Sequence, residues 1–234
     1  MLKDSEVLAL FADLDNLENA KLGDEYYYLS VPFCILDAVF SIGAKYKCAM
    51  NVVKRYCEYY NLAEFRTTGN ELPSPSEQHT VSDFVNNVKI HGINKCLETV
   101  IKNRQRTSPK NGILKLEAAY CWAKELEERG VQTFQDISSS GLGENVESAI
   151  LKIPGQKSGI SLGYFYMLAG NDNLCKPDRH IRNYLLKKLN RKNIDEAEVQ
   201  ELLQRGSCLL KGKYPNMAVR LLDYAIWTSQ HKKH

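Results

Sequence analysis

The chain contains no uninterrupted apolar run near the ~18 residues that a membrane-spanning helix needs. Its opening residues, Met1-Leu2-Lys3-Asp4-Ser5-Glu6, lack a basic stretch followed by an apolar block and a small-residue cleavage site. A soluble, intracellular protein is the expectation. Cysteine pairs at ligand spacing are missing as well. The seven cysteines, an odd number, lie scattered at positions 34, 48, 57, 96, 121, 175 and 208 with no C-x-x-C among them. This excludes a disulfide framework or a zinc ribbon and fits reduced, buried thiols. Histidine offers no metal pair: His79 and His91 are isolated, and His231 and His234 close the chain. No metal and no cofactor is expected. Proline (7) and glycine (14) are too few in 234 residues for a collagen-like or disordered chain. Charge is nearly balanced, 31 − 28 = +3. The placement of charge, not its sum, must therefore indicate a partner.

What the sequence has is helical periodicity nearly throughout. Ser5 can cap a helix carrying Val7, Leu8, Leu10, Phe11, Leu14 and Leu17, with Gly23 at its end. Pro32 opens a second helix, Phe33 to about Ile42, and a third is expected from about Tyr46 to Tyr60. The segment 67–78 has two prolines and no period, so it reads as a surface loop, as does Ser138–Gly141. Further helices are expected near 80–90, 93–103, 112–129, 144–152, 159–168, 179–190, 195–205 and 215–230. No convincing alternating β segment is present; Tyr26–Leu29 is at most one short extended piece. The fold class is all-α.

The most informative stretch is SAILKIPGQKSGISLGYFYMLAG, residues 148–170. Pro154-Gly155 breaks one helix, and Ile160, Tyr164 and Leu168 place a second one a few residues later. Two readings fit. The backbone N–H groups and positive dipole end of the second helix can hold a phosphate, with Lys157 and Ser158 adding a charge and a hydroxyl. Alternatively, the pair is an αα-hairpin that only packs. Next comes Asn173-Leu174-Cys175-Lys176-Pro177-Asp178-Arg179-His180-Ile181-Arg182. Asp178 stands at a helix start, either as an N-cap or as a carboxylate presented to a cleft. His180, two residues on, reads as a hydrogen-bonded structural histidine.

Basic residues gather in two places. Ile101–Asn111 carries Lys102, Arg104, Arg106 and Lys110 with no acid, and reads as a solvated face. Lys176–Lys192 carries its cations against Asp178 alone and, beside the Pro-Gly turn in sequence, is the better candidate for DNA-backbone contact.

A Pro-Gly hairpin followed about twenty residues later by Asp-x-His-Ile resembles the helix-hairpin-helix DNA glycosylases, the superfamily of endonuclease III. The segment Pro32–Ser41 looks like that family's early core helix, Ala149–Gly155 like its approach to the hairpin, and Leu221–Trp227 like its closing helix in some relatives. The resemblance runs from about residue 30 to the end. It implies a two-lobed helical unit: a central lobe at 31–170 with the hairpin at 148–168, a second lobe from 1–30 plus 171–234, and double-stranded DNA crossing the cleft. It also implies a monomer that extrudes a damaged or mismatched base and hydrolyses its N-glycosidic bond, with Asp178 as catalytic carboxylate. Gly155, Gln156, Lys157, Ser158, Gly159, Arg179 and Arg182 would then contact DNA.

The departures restrict the chemistry. Gly159 stands where bifunctional relatives carry a lysine nucleophile, so no Schiff-base lyase step is expected. Lys157 replaces the hairpin's usual second glycine. The four-cysteine iron–sulfur loop is absent. Gly43 falls where some relatives place a duplex-filling glutamine, leaving Lys45 or Tyr46 as candidate wedge. Tyr26-Tyr27-Tyr28 and Trp122 can stack on an extruded base, although core packing is their ordinary role. The alternative function is a non-catalytic DNA-binding protein that retains the fold. A third is a structural or protein-interaction descendant in which Asp178 only caps.

Overall fold

A computed structural model describes residues 2–44, 46–67, 69, 71–137 and 141–231. Among the described residues the chain is helical: α1 (Asp4–Leu10), α2 (Val31–Phe40), α3 (Tyr46–Tyr60), α4 (Val81–His91), the short α5 (Ile93–Lys95), α6 (Lys115–Glu127), α7 (Glu144–Lys152), α8 (Ile160–Ala169), α9 (Arg179–Leu189), α10 (Glu196–Leu210) and α11 (Val219–His231). The β pairing described amounts to two isolated bridges, Tyr28 with Phe65 and Arg106 with Leu114. Among the described residues no helix is long and apolar enough to cross a membrane.

Two compact units result, Met1–Gly23 with Gly170–His234, and Asp24–Ala169. The first joins both chain ends. Its core takes Val7, Phe11, Ile181, Leu185, Val199, Leu203, Leu222 and Ile226 from α1, α9, α10, α11 and the turn after α1. Tyr184 crosses this core with its hydroxyl, donating to Leu10 O at 2.7 Å and Asp13 Oδ1 at 2.9 Å.

The second unit is built around α2, whose ten residues are all buried. Its sequence, VPFCILDAVF, is apolar on every side, as a helix enclosed by α3, α6 and α8 must be. The exception is Asp37, 2% exposed, whose Oδ2 accepts from Tyr28 Oη at 3.0 Å and Tyr164 Oη at 3.3 Å. A buried carboxylate is tolerated where hydroxyls replace its water. Those bonds tie α8 to α2. Lys115, at the start of α6, closes the other end of α2: its amine donates to Phe40 O at 2.9 Å and Ile42 O at 2.6 Å, with Gln105 Oε1 at 3.3 Å. These carbonyls lie at and just beyond the helix's negative end, where a cation is favoured.

Three sequence expectations change. Lys3, not Ser5, is the N-cap of α1, with Glu6 accepting its backbone N–H at 2.7 Å, so Ser5 lies inside the first turn. The first helix ends at Leu10 instead of reaching Gly23. Asp13, Asp15 and Asn16 are weak helix formers, and Asn16 is left-handed at φ 58°. The helix expected over 93–103 closes in a π turn, Cys96–Val100, after which Arg55 Nη1 takes the carbonyls of Ile101 at 3.2 Å and Lys102 at 3.3 Å. The segment 101–114 is thus an ordered loop. Thr107 N–H donates to Ile113 O and Lys115 N–H to Gln105 O, both at 2.9 Å, making a short antiparallel pair with its tip at 108–112. A Cβ at Gly112 would overlap the backbone of Ser108, so the tip closes only with glycine there.

Candidate functional site

The turn between α7 and α8 is formed by its own backbone. Gln156 N–H donates to Ile153 O at 2.9 Å, and Gly159 N–H to Gln156 O at 3.0 Å. Gly155 and Gly159 take φ of 93° and 77°, conformations that L side chains rarely adopt. Among the described residues the N–H groups of Lys157, Ser158, Ser161 and Leu162 have no protein acceptor, and Ile160 N–H reaches Ser158 Oγ only at 3.4 Å. These free donors at the start of a ten-residue helix form a surface suited to an anion. Lys157 and Ser158 are exposed beside them.

Gln156 does not fit its expected role as a DNA contact. Its side chain is 1% exposed and its N–H and C=O are spent within the turn. Neither of its amide atoms has a protein partner. The turn also rests on a segment that sequence reading treated as a mere solvated face: Thr107 packs against Gly155, with Oγ1 2.8 Å from where a Gly155 Cβ would sit. The basic loop 101–114 and the turn therefore touch within the same unit.

In the other unit, Asp178 is the N-cap of α9. Its Oδ1 accepts from His180 N–H at 2.8 Å and Ile181 N–H at 3.2 Å, while among the described residues Oδ2 has no hydrogen-bond partner. Asp178 is half-buried. Its own N–H donates to Lys176 O at 2.6 Å, and Lys176 N–H donates to Asp223 Oδ2 at 2.7 Å. Asp223, on α11, is buried, and burial is the main cause that pushes its carboxyl up to about 7; within that shift the charge of Asp178 also raises it, while the Lys176 N–H bond and Arg220 act the other way. Two carboxyl groups thus share one small region, one facing outward and one enclosed. Sequence reading passed over Asp223; an acid within the apolar run LLDYAIW was its signal.

The remaining expected residues divide. Arg179 is exposed, with Nε 3.4 Å from His180 Nε2. Arg182 works largely inside its unit: Nη2 donates to Ile194 O at 2.6 Å, and Nη1 lies 3.9 Å from Glu196. Trp122 takes its ordinary role as a core residue and not the alternative one of stacking on a base: it is 0% exposed, with its ring 5.5 Å from that of Phe165. Tyr28 is likewise fully buried, on Asp37. Lys45 and the side chain of Tyr46 lie outside the described residues, as do residues 138–140 of the loop expected at 138–141. Among the described residues no group of three or more acidic, histidine or cysteine side chains is arranged to hold a metal ion.

No curated protein matches the chain, and no solved structure does. A family model matches residues 5–231, and the chain belongs to that family, described as Domain of unknown function (DUF8548).

Proposed function

We propose that the protein binds double-stranded DNA and hydrolyses the N-glycosidic bond of a damaged or mismatched base, as a monofunctional glycosylase. The observation that carries this reading is Asp178. One of its oxygens is fixed by two helix N–H groups, and the other has no hydrogen-bond partner among the described residues. A carboxylate oxygen held in place this way suits an oxocarbenium-like transition state, either by stabilising positive charge on the sugar or by aligning water toward C1′. The free N–H groups and Lys157 at the α7–α8 turn supply donors for the phosphate backbone.

No lyase step is proposed, because Gly159 occupies the position that would need an amine. The product is an abasic strand that breaks only after alkali. The test is to incubate the purified protein with duplexes carrying alkylated purines, oxidised guanine, uracil or mismatches, and to resolve the strands after alkali. Alkali-dependent cleavage of one substrate supports the reading. Tight, salt-sensitive duplex binding with no excision across the panel would favour the non-catalytic alternative, in which Asp178 is only a cap.

A further inference from the structure

We infer that the basic loop 102–112 and the α7–α8 turn form one continuous surface for a nucleic-acid backbone, with Lys102 and Lys110 as its outer contacts. This rests on the DNA reading above and adds to it a second segment. The contact of Thr107 with Gly155 joins the two segments. The loop is a built element. Its base is the antiparallel pair of 105–107 with 113–115, its start is held by Arg55, and its tip is closed by Ser108 Oγ donating to Lys110 O at 2.5 Å.

The charges differ in what they have left to give. Arg104 is paired with Glu98 at 3.0 Å, and Arg106 gives one N–H to Gly112 O at 2.6 Å. Lys102 and Lys110 are exposed and, among the described residues, form neither an ion pair nor a side-chain hydrogen bond, as is also true of Lys152 and Lys157 on the hairpin. Segment 101–114 contains no carboxylate. Chain reach limits the separation: three residues from Thr107 to Lys110 span at most about 11 Å, and two from Gly155 to Lys157 at most about 7 Å. Exposed cations on two touching segments suit a polyanion, and duplex DNA offers one negative charge per about 1.7 Å of axis.

The test measures affinity for an undamaged duplex by fluorescence anisotropy between about 50 and 200 mM salt, the range over which phosphate contacts are lost. Wild type, Lys102→Ala/Lys110→Ala and Lys157→Glu are compared, with circular dichroism as a check on folding. The loop variant is expected to bind more weakly on every duplex sequence, with a salt slope shallower by about 1.8, or about 0.9 for each phosphate contact removed. If the loop variant keeps the wild-type affinity and slope while Lys157→Glu loses affinity, the loop is not part of the interface and only the hairpin reading stands. If wild type shows no salt-dependent affinity for duplex, the inference and the DNA reading fall together.

Discussion

Asp223 accepts the backbone N–H of Lys176 at 2.7 Å, across 47 residues of sequence. Lys176 then accepts the N–H of Asp178 at 2.6 Å. A buried side chain of α11 therefore fixes the strand that leads into the α9 cap. Whatever Asp178 does, the conformation of residues 176–178 depends on Asp223.

This arrangement has a pH signature. The Asp223 carboxyl titrates near 3.8 as a free side chain and about 7 in the folded protein. The folded state then holds a proton that the unfolded state has lost. The stabilisation is full below about 3.8 and declines as pH rises to about 7. Its full size is on the order of 2–4 kcal/mol. Asp223→Asn keeps an oxygen for the Lys176 N–H and has no charge to desolvate. It should melt higher than wild type at pH 8 and close to wild type at pH 4. Glu64 in the other unit, also raised to about 7, slopes the same way, so the effect is read as a difference between the two proteins. Thermal melts at both pH values decide it, and parallel curves would show that Asp223 is not the titrating group.

Asp178 allows its cap and its chemistry to be separated. Asn at this position retains an acceptor for the N–H groups of His180 and Ile181. Asp178→Asn should therefore stay within about 0.5 kcal/mol of wild type, whereas Asp178→Ala should lose about 1 kcal/mol. Base excision should fall about a hundredfold or more in both, because each removes the charge. Urea melts and single-turnover excision, measured on the same preparations, test both halves. A destabilised Asn variant that still excises at the wild-type rate would reduce Asp178 to a cap.

Borohydride trapping probes the absent lyase step. Burial lowers the Lys115 amine to about 8, which makes it a stronger nucleophile at neutral pH than an ordinary lysine. Lys115 is nevertheless 2% exposed, and its three acceptors are Phe40 O, Ile42 O and Gln105 Oε1. No covalent protein–DNA adduct should be trapped during turnover, with wild type or with Lys115→Met. The Met variant should instead lose about 1–3 kcal/mol, since the carbonyls at the end of α2 lose their donor. A gel-shifted adduct that disappears in Lys115→Met would place this amine at the reaction.

Local features were legible in the sequence and long-range ones were not. The α3 boundaries follow from Met50, Val53 and Cys57 at helical spacing, and those of α7 from the Pro-Gly break after it. The Asp178 cap is readable because Pro177-Asp178 is a local start signal, and its capping bonds reach only two and three residues. Asp223 needs Lys176, and Thr107 needs Gly155, contacts that no local period encodes. Trp122 shows the same limit: core packing is the ordinary role of such an aromatic, but its partner Phe165 lies on another helix and no local period names it. The first helix was overextended because apolar spacing continues to Leu17 while Asp13, Asp15 and Asn16 interrupt the backbone.

The contact between Thr107 and Gly155 can be measured directly. Gly155 has φ 93°, and a Cβ there would overlap the Thr107 side chain. Gly155→Ala therefore carries two costs: about 1–2 kcal/mol for the left-handed backbone and about 1–3 kcal/mol for the overlap. Only the second depends on Thr107. In a Thr107→Gly background the overlap is gone and the backbone cost remains, so the same substitution should be cheaper by about 1–3 kcal/mol. A double-mutant cycle by urea denaturation isolates that difference, because the two residues are in contact and their effects should not add. Equal costs in the two backgrounds would mean that Thr107 is not seated on the turn, and the loop and the hairpin would then have to be treated as separate surfaces.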